Sequence, residues 1–209
     1  MKKFIYFPTF VTLLSVFSIF SQKNTYSSLT IPSELKEDAN AVIRDNLFEV
    51  TINDVDQMVV YHRQVITILN KLGDRHASMY EGYDNDTKIT KLSAYIYDAY
   101  GKQIKKYSKG KFLDQSAVDG GTLYSDSRVK YVDYTPISYP YTIVFQSEYK
   151  TSSTGFIPNW YPVNGYFISV EKSLYKLNNP KNITLRKKEK NFDSFTIENS
   201  STEYNAKYF

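Results

Sequence analysis

The chain has 209 residues, a formal net charge of +4 at pH 7, 16% aromatic residues and no cysteine. Without cysteine, these residues hold no thiol nucleophile, no thiolate metal site and no disulfide. The charge is nearly balanced, and the basic run at 186–190 is interrupted by Glu189, so the sequence does not predict a nucleic-acid binder.

The first 21 residues have the organisation of an export signal. Lys2 and Lys3 precede an apolar run, and small residues then lead into a polar segment. Pro8 and several hydroxyl residues interrupt this run, whereas a membrane-spanning helix needs about 20 predominantly apolar residues. We therefore predict a signal peptide at 1–21, cleaved after Ser21, and an exported product in the periplasm or at the cell surface. Export would be its only contact with a membrane, and loss of the two lysines would lower the net charge to about +2.

The mature chain is expected to begin with a flexible polar segment at 22–30, followed by one domain at 31–209. Ser33 is a good helix N-cap. The apolar residues after it recur at the spacing of one helix face: Leu35, Ala39, Val42 and Ile43. This pattern predicts a short helix over 33–44.

From Leu47 onward the pattern changes to period two with β-branched and aromatic residues, which is typical of strands. The predicted strands are 47–52, 59–69, 76–83, 89–97, 103–107, 128–134, 141–149, 166–177, 183–188 and 195–198. The turn residues at 98–101 predict a hairpin, and 108–127 is a long irregular segment. Repeated strands without a second helix predict an antiparallel β-sandwich with a short N-terminal helix.

The sequence predicts no catalytic residue, metal site or cofactor, and hence no enzyme. His62 and His76 are the only histidines, and neither has further ligands at a metal-binding spacing. The acidic turn at 84–86 resembles the start of a calcium loop, but Lys88 occupies a ligand position and no terminal glutamate follows. A plain Asx turn is the favoured interpretation.

Aromatic residues are the most conspicuous candidates for binding. The chain has 20 tyrosines and 13 phenylalanines, and tyrosine suits strands because its ring packs while its hydroxyl reaches a polar partner. The segment 156–163 differs, because two prolines bracket the only tryptophan. Trp160, Tyr161 and Tyr166 are therefore candidate stacking residues for a peptide or a glycan.

An ordered set of short motifs resembles a known family. The motifs are Ile31-Pro32-Ser33-Glu34-Leu35, Asp38-Ala39-Asn40-Ala41-Val42-Ile43, Asn70-Lys71-Leu72-Gly73, Asp98-Ala99-Tyr100-Gly101-Lys102, and Phe156-Ile157-Pro158-Asn159-Trp160 followed by Ser169-Val170-Glu171. Together they resemble an exported bacterial domain of unknown function that typically precedes a transglutaminase-like, cysteine-protease-type domain. The resemblance implies a β-sandwich after a short helix, with the transglutaminase-like domain as partner.

The catalytic machinery of that partner domain is not carried over to any residue here, because the chain lacks cysteine. The chain reaches Phe209 before such a domain, so we expect a domain truncated at its C-terminal end. We therefore predict a non-catalytic exported β-sandwich that serves as a scaffold or recognition module for a transglutaminase-like domain. The alternative is an independent glycan-binding or adhesive module that uses surface aromatics.

Overall fold

The computed structural model describes residues 25–117, 126–186, 188–190, 197–199 and 203–207. The predicted signal peptide at 1–21 lies outside the described residues. Within those ranges, no helix is long and apolar enough to cross a membrane. The segment predicted to be flexible is described from Thr25 onward, and there Ser27 and Ser28 are buried. Both hydroxyls donate hydrogen bonds to the carbonyl of Ala99, so this part packs against the domain.

The chain is mainly β, as predicted. The strands are β1 (Ala41–Asp54), β2 (Gln57–Ile68), β3 (Tyr80–Tyr83), β4 (Thr87–Tyr97), β5 (Gln103–Ser108), β6 (Leu113–Ser116), β7 (Arg128–Tyr131), β8 (Tyr141–Thr151), β9 (Ile168–Val170), β10 (Lys172–Asn178), β11 (Ile197–Asn199) and β12 (Glu203–Lys207). A large sheet has the order β11-β12-β10-β1-β2-β8-β4-β5, with β9 also paired to β1. A small sheet has the order β3-β7-β6. The helical segments are short 3-10 helices at Ser28–Thr30, Ser33–Leu35, Lys71–His76 and Lys109–Lys111.

The large sheet is mixed, which corrects the prediction of a wholly antiparallel fold. β1 runs parallel to β9 and to β10, whereas the other described ladders are antiparallel. The reason lies in the connection at 152–167. It carries the chain from the end of β8 back to the end of the sheet where β1 begins, so the next strands run in the direction of β1.

The predicted helix over 33–44 is wrong. A 3-10 helix covers only Ser33–Leu35, and β1 begins at Ala41. Val42 packs with Ile31 in one cluster, whereas Ile43 belongs to the main core on the other side. Successive strand residues point to opposite faces, and β1 is covered on both. At the start of β1, apolar residues therefore do not alternate with polar ones as they would in a half-exposed strand. Their spacing resembles that of a helix face.

The predicted hairpin between β4 and β5 is confirmed. Asp98 and Lys102 close the turn through a backbone hydrogen bond of 2.9 Å, and the Asp98 carboxylate accepts from the backbone N–H groups of Tyr100 and Lys102. Gly101 has a φ of 82°, a conformation that glycine adopts without steric cost.

The C-terminal part of the prediction is only partly correct. Residues 183–186 form no strand; Asn179 instead bonds both the N–H and the carbonyl of Ile183 through its side chain, which replaces ladder hydrogen bonds. β12 was not predicted, yet it pairs with β10 and β11.

Two clusters of buried side chains lie on the same face of the large sheet. The larger is built on cross-strand neighbours from four strands: Ile43, Ile66, Ile143 and Ile96. Met79 and Phe112, which directly precede β3 and β6, cover it from the small sheet. The smaller cluster contains Val50, Ile52, Met58, Val60 and Tyr175, with Trp160 packed against it.

An ion-pair cluster links the strands of the small sheet. Asp114 in β6 accepts hydrogen bonds from Lys130, Tyr83 and Arg128, at 2.6, 2.7 and 3.0 Å respectively. These partners, Lys130 above all, lower the pKa of Asp114 to about 2. The carboxylate is therefore charged throughout the physiological range and holds the three short strands together.

Candidate functional site

One end of the large sheet is formed by loops and is the leading candidate for a functional surface. The strand register places the start of β1, the end of β2, the end of β4 and the starts of β8 and β9 at this end. We call the residues that join these strand ends the loop end; they are 25–40, 69–79, 98–102, 132–140 and 163–167.

Asn40 is the centre of the backbone hydrogen bonds that fix the loop end. Its N–H donates to the carbonyl of Phe167 at 2.8 Å, and its carbonyl accepts from Leu69 at 2.9 Å. Its side-chain oxygen accepts from Asn70 at 3.0 Å. Gly73 lies directly against the Asn40 carbonyl, which leaves no room for a Cβ atom. Three segments far apart in sequence are thus held together at one residue.

Asp74 anchors a second part of the loop end. Its carboxylate accepts hydrogen bonds from the hydroxyls of Tyr139 and Tyr141. The hydrogen bond to Asp74 raises the pKa of Tyr139 to about 12, and burial, followed by the charge of Asp74, raises that of Tyr141. Both tyrosines therefore remain protonated donors at neutral pH.

His76 packs against the segment 163–167. A Cβ on Gly165 would approach its ring to 3.4 Å, and Gly165 has a φ of 129°. Burial, followed by the charge of Arg75, lowers the pKa of His76. Its Nε2 is buried and has no hydrogen-bond partner among the described residues. The neutral imidazole of His76 therefore packs against the segment 163–167.

The outer surface of the loop end is rich in apolar side chains. Twelve large hydrophobic residues are exposed in the described chain. Half of them lie on these loops: Leu29, Leu72, Tyr100, Ile137, Tyr166 and Phe167. Ile137 and Tyr166 are 93% and 86% exposed. Exposed hydrophobic groups gathered in one region are characteristic of interaction surfaces.

The three residues predicted to stack on a ligand have different environments. Trp160 is partly buried; its indole N–H donates to Ser173 Oγ at 2.9 Å and its ring lies 6.3 Å from that of Tyr175. Tyr161 and Tyr166 are exposed. The structure therefore places Trp160 against the core and the two tyrosines at the surface, with Tyr166 at the loop end.

Between the two core clusters, the same sheet face carries a buried polar layer. Asn46 donates to Ser173 Oγ at 3.2 Å, and His62 Nε2 lies 3.0 Å from Asn46 Oδ1. Together with the Trp160 donation, these bonds connect β1, β2, β10 and the loop after β8. The sequence did not reveal this layer, since Asn46 and Ser173 are 127 residues apart.

The polar layer does not have the geometry of a nucleophile and its base. Ser147 is directly opposite His62 in the β2–β8 register, but His62 bonds to Asn46. Ser147 Oγ is buried, and its polar neighbour is the carboxyl group of Glu81 rather than the ring of His62. Burial lowers the pKa of His62 to about 4 and raises that of Glu81, whose carboxyl group lies near Ser147. A catalytic pair is recognised by a hydrogen bond between nucleophile and base, whereas here His62 makes its hydrogen bond to Asn46.

Within the described ranges no group of three His, Asp or Glu side chains could hold a metal ion. The acidic turn at 84–86 is an Asx turn, in which Asp86 N–H donates to Asp84 Oδ1 at 3.0 Å. It borders a cleft of about 380 Å³ whose lining also includes Lys88 and Lys150. The two lysines leave this cleft without the dense negative charge that a calcium site needs.

Comparison with known proteins shows a family and a fold. The profile of a family described as a domain of unknown function with a solved structure, DUF3857, matches residues 55–207. No curated protein matches.

Two solved structures are similar to parts of this chain. A Parabacteroides distasonis ATCC 8503 protein described as a putative protease has 14% identity and a TM-score of 0.58, over 81% of this chain and 36% of that one. Yeast LTA4 hydrolase in complex with bestatin has 8% identity and a TM-score of 0.35, over 80% of this chain and 26% of that one. The first likeness shows a common fold, and the second is too weak to carry an argument. The chain spans about a third of the length of the first structure.

Proposed function

Because the chain belongs to the DUF3857 family of domains of unknown function, we propose a function from its own surface. It is a non-catalytic, exported recognition module of β-sandwich type that docks a partner domain through the loop end. The observation that carries this proposal is the concentration of exposed hydrophobic side chains on loops that are fixed from within.

The internal support of the loops matters as much as the exposed side chains. Asn40, Asp74 and Gly73 immobilise the backbone beneath them. A surface that is already ordered loses less conformational entropy on association than a mobile one. The loop end therefore has both properties of a docking surface, which are apolar area and a fixed shape.

The proposed partner is a transglutaminase-like domain. The ordered motifs from Ile31 to Glu171 support this choice, because the family that they resemble typically precedes such a domain. In this arrangement the partner supplies the nucleophilic cysteine, which this chain lacks, and the module positions it. The charged and apolar organisation of residues 1–21 supports export to the periplasm or the cell surface.

The proposal is tested by isothermal titration calorimetry of the purified chain against a separately produced transglutaminase-like domain. Leu72→Ser at the loop end should weaken binding about tenfold, as expected for an apolar contact in an interface. Val55→Ser is the matched control, since Val55 and Leu72 are each 69% exposed and Val55 is at the opposite end of the sheet. It should change the affinity less than about twofold. Absence of binding, or equal effects of the two variants, would overturn the proposal.

A second candidate function is glycan binding by surface aromatics. It is favoured by Tyr161 and Tyr166, which are 63% and 86% exposed and could stack on sugar rings. A glycan array tests it. Binding that is lost in Tyr166→Ala with unchanged thermal unfolding would support this candidate; an array without hits, or hits that Tyr166→Ala retains, would count against it.

A further inference from the structure

β5 is the outer strand at one side of the large sheet. In the described chain it pairs only with β4, from the Ser93–Ser108 pair to the Tyr97–Gln103 pair. Alternate residues of an edge strand direct their N–H and C=O groups away from the sheet, where another strand can bond to them. β5 thus offers a template for strand addition.

The β5 edge is strongly basic although the whole chain is nearly neutral. Five lysines lie in and around the strand, with no acidic residue between Asp98 and Asp114: Lys102, Lys105, Lys106, Lys109 and Lys111. All five are exposed. Two ammonium groups lie over aromatic rings, Lys105 over Tyr107 at 5.6 Å and Lys106 over Tyr95 at 5.4 Å. The charges are therefore present on both faces of the edge strand, since successive residues alternate in direction.

A cleft of about 290 Å³ lies beside this edge. Its lining combines apolar and charged groups from β5 and the loop before β8: Ile104, Lys105, Tyr107, Asp133, Tyr134 and Ile137, with Thr135. Ile104 is 45% exposed. Among the described lining residues, Asp133 carries the negative charge and Lys105 the positive charge. The cleft has room for one large apolar side chain of a bound segment.

The charge pattern discriminates between possible partners. Two copies of β5 placed edge to edge would bring lysines together, which disfavours self-association and is a known protection of edge strands. The same charges attract an acidic strand, because complementary potentials favour encounter and exclude partners of the wrong sign. The β5 edge therefore repels a second copy of β5 but can still bind a segment of opposite charge.

We propose that β5 is a docking edge for an extended acidic peptide segment of a partner protein, which adds to the sheet as a further strand. Backbone hydrogen bonds would supply the pairing, the lysines the selection for acidic side chains, and the cleft beside Ile104 a place for an apolar one. This inference goes beyond the proposed function, and the cleft adjoins the loop end because Asp133, Tyr134 and Ile137 belong to its segment 132–140.

Fluorescence anisotropy with a labelled peptide of sequence Glu-Val-Glu-Phe-Glu-Val-Glu tests this inference. The double variant Lys105→Glu, Lys106→Glu should weaken binding at least about tenfold. The control is Lys88→Glu, Lys150→Glu, which alters two exposed lysines that are paired between β4 and β8; it should change the affinity less than about twofold. Thermal unfolding of both variants checks that the fold is retained.

Two further probes distinguish the mode of binding. The same peptide N-methylated at every backbone amide retains its charge but has no N–H group with which to pair as a strand, so it should not bind. An oligogalacturonate carries acidic groups without a peptide backbone and should bind weakly or not at all. Equal binding of the N-methylated peptide, preferential binding of the oligogalacturonate, no binding of any probe, or equal losses in the two lysine variants would overturn the inference. Because the peptide contains no folded domain and Lys105 and Lys106 lie outside the residues of the loop end, failure of this test is distinguishable from failure of the loop-end experiment.

Discussion

His62 donates its Nε2 hydrogen to Asn46 Oδ1 at 3.0 Å, and its ring stacks on Phe48 with the centroids 4.0 Å apart. Since Asn46 uses its amide nitrogen to donate to Ser173, its oxygen can only accept, which places the proton of the neutral imidazole on Nε2. Charging His62 would require a second proton in this partly buried, aromatic environment. The polar layer therefore depends on a neutral histidine.

The lowered pKa of His62 predicts that the folded chain loses stability in mild acid. Its pKa is about 4 in the folded chain, against an ordinary value of 6.5. The unfolded state therefore binds more protons between these values, and the contribution of His62 is present above pH 6.5 and lost as the pH falls towards 4. We expect the free energy of unfolding to fall by about 3 kcal/mol from pH 7 to pH 4 through this residue.

Urea unfolding of the wild type and of His62→Gln at a series of pH values measures this effect. Glutamine does not titrate, and Glu81 is common to both proteins, so its opposite contribution cancels in the difference. The two stability curves should converge or cross towards pH 4. Parallel curves would show that His62 is not responsible.

Gly73→Ala should destabilise the loop end. The new methyl group would meet the Asn40 carbonyl and would lie 3.1 Å from Cγ2 of Ile68. Overpacking of this kind costs about 1–3 kcal/mol. The matched control is Gly110→Ala, because nothing lies within 4 Å of the position that its new Cβ would take; it should change stability by less than about 1 kcal/mol. Urea unfolding of the two variants decides, and similar stabilities would contradict the close approach of Gly73 to Asn40.

Trp160→Phe should lower stability by about 1–3 kcal/mol. The substitution removes the indole N–H that donates to Ser173, and Ser173 is fully buried. Much of the packing of the ring on Tyr175 is retained. Tyr161→Phe, which changes an exposed residue, should alter stability by less than about 0.5 kcal/mol. If Trp160→Phe were equally neutral, the indole would have no structural role in the polar layer.

Asp74→Asn should return the pKa of Tyr139 towards its ordinary value of 10. The pKa is about 12 because the hydroxyl donates to the Asp74 carboxylate, whose charge also disfavours the tyrosinate. NMR titration of chain labelled at the tyrosine ring carbons measures the shift. A Tyr139 pKa that does not move in the variant would contradict this assignment.

Local signals in the sequence predicted much of the sheet. Period-two patterning indicated most strands, and the residues 98–101 indicated the hairpin, because these features depend on neighbours in the chain. The start of β1 was missed since burial on both faces removed the alternation at Ala41, Val42 and Ile43. The parallel pairing of β1 with β10 depends on the path of the long connection at 152–167. The local residue pattern does not determine this path.

The candidate surfaces were predicted less well than the strands. Tyr166 was identified from its aromatic character, but its proximity to the segments around Leu72 and Ile137 follows from strand register. The lysines of β5 were visible as a charge concentration in a predicted strand. The run at 186–190 is denser in charge, and the position of β5 at the side of the sheet is a property of the topology, which the sequence pattern does not reveal.

The central claim is that the loop end docks a partner domain, and hydrogen–deuterium exchange tests it most directly. The chain is compared alone and with a transglutaminase-like domain. The account predicts slower exchange on binding at 69–79, 132–140 and 163–167, with little change in β6 and β7. Unchanged exchange at all three loop segments, or protection confined to the small sheet, would contradict it.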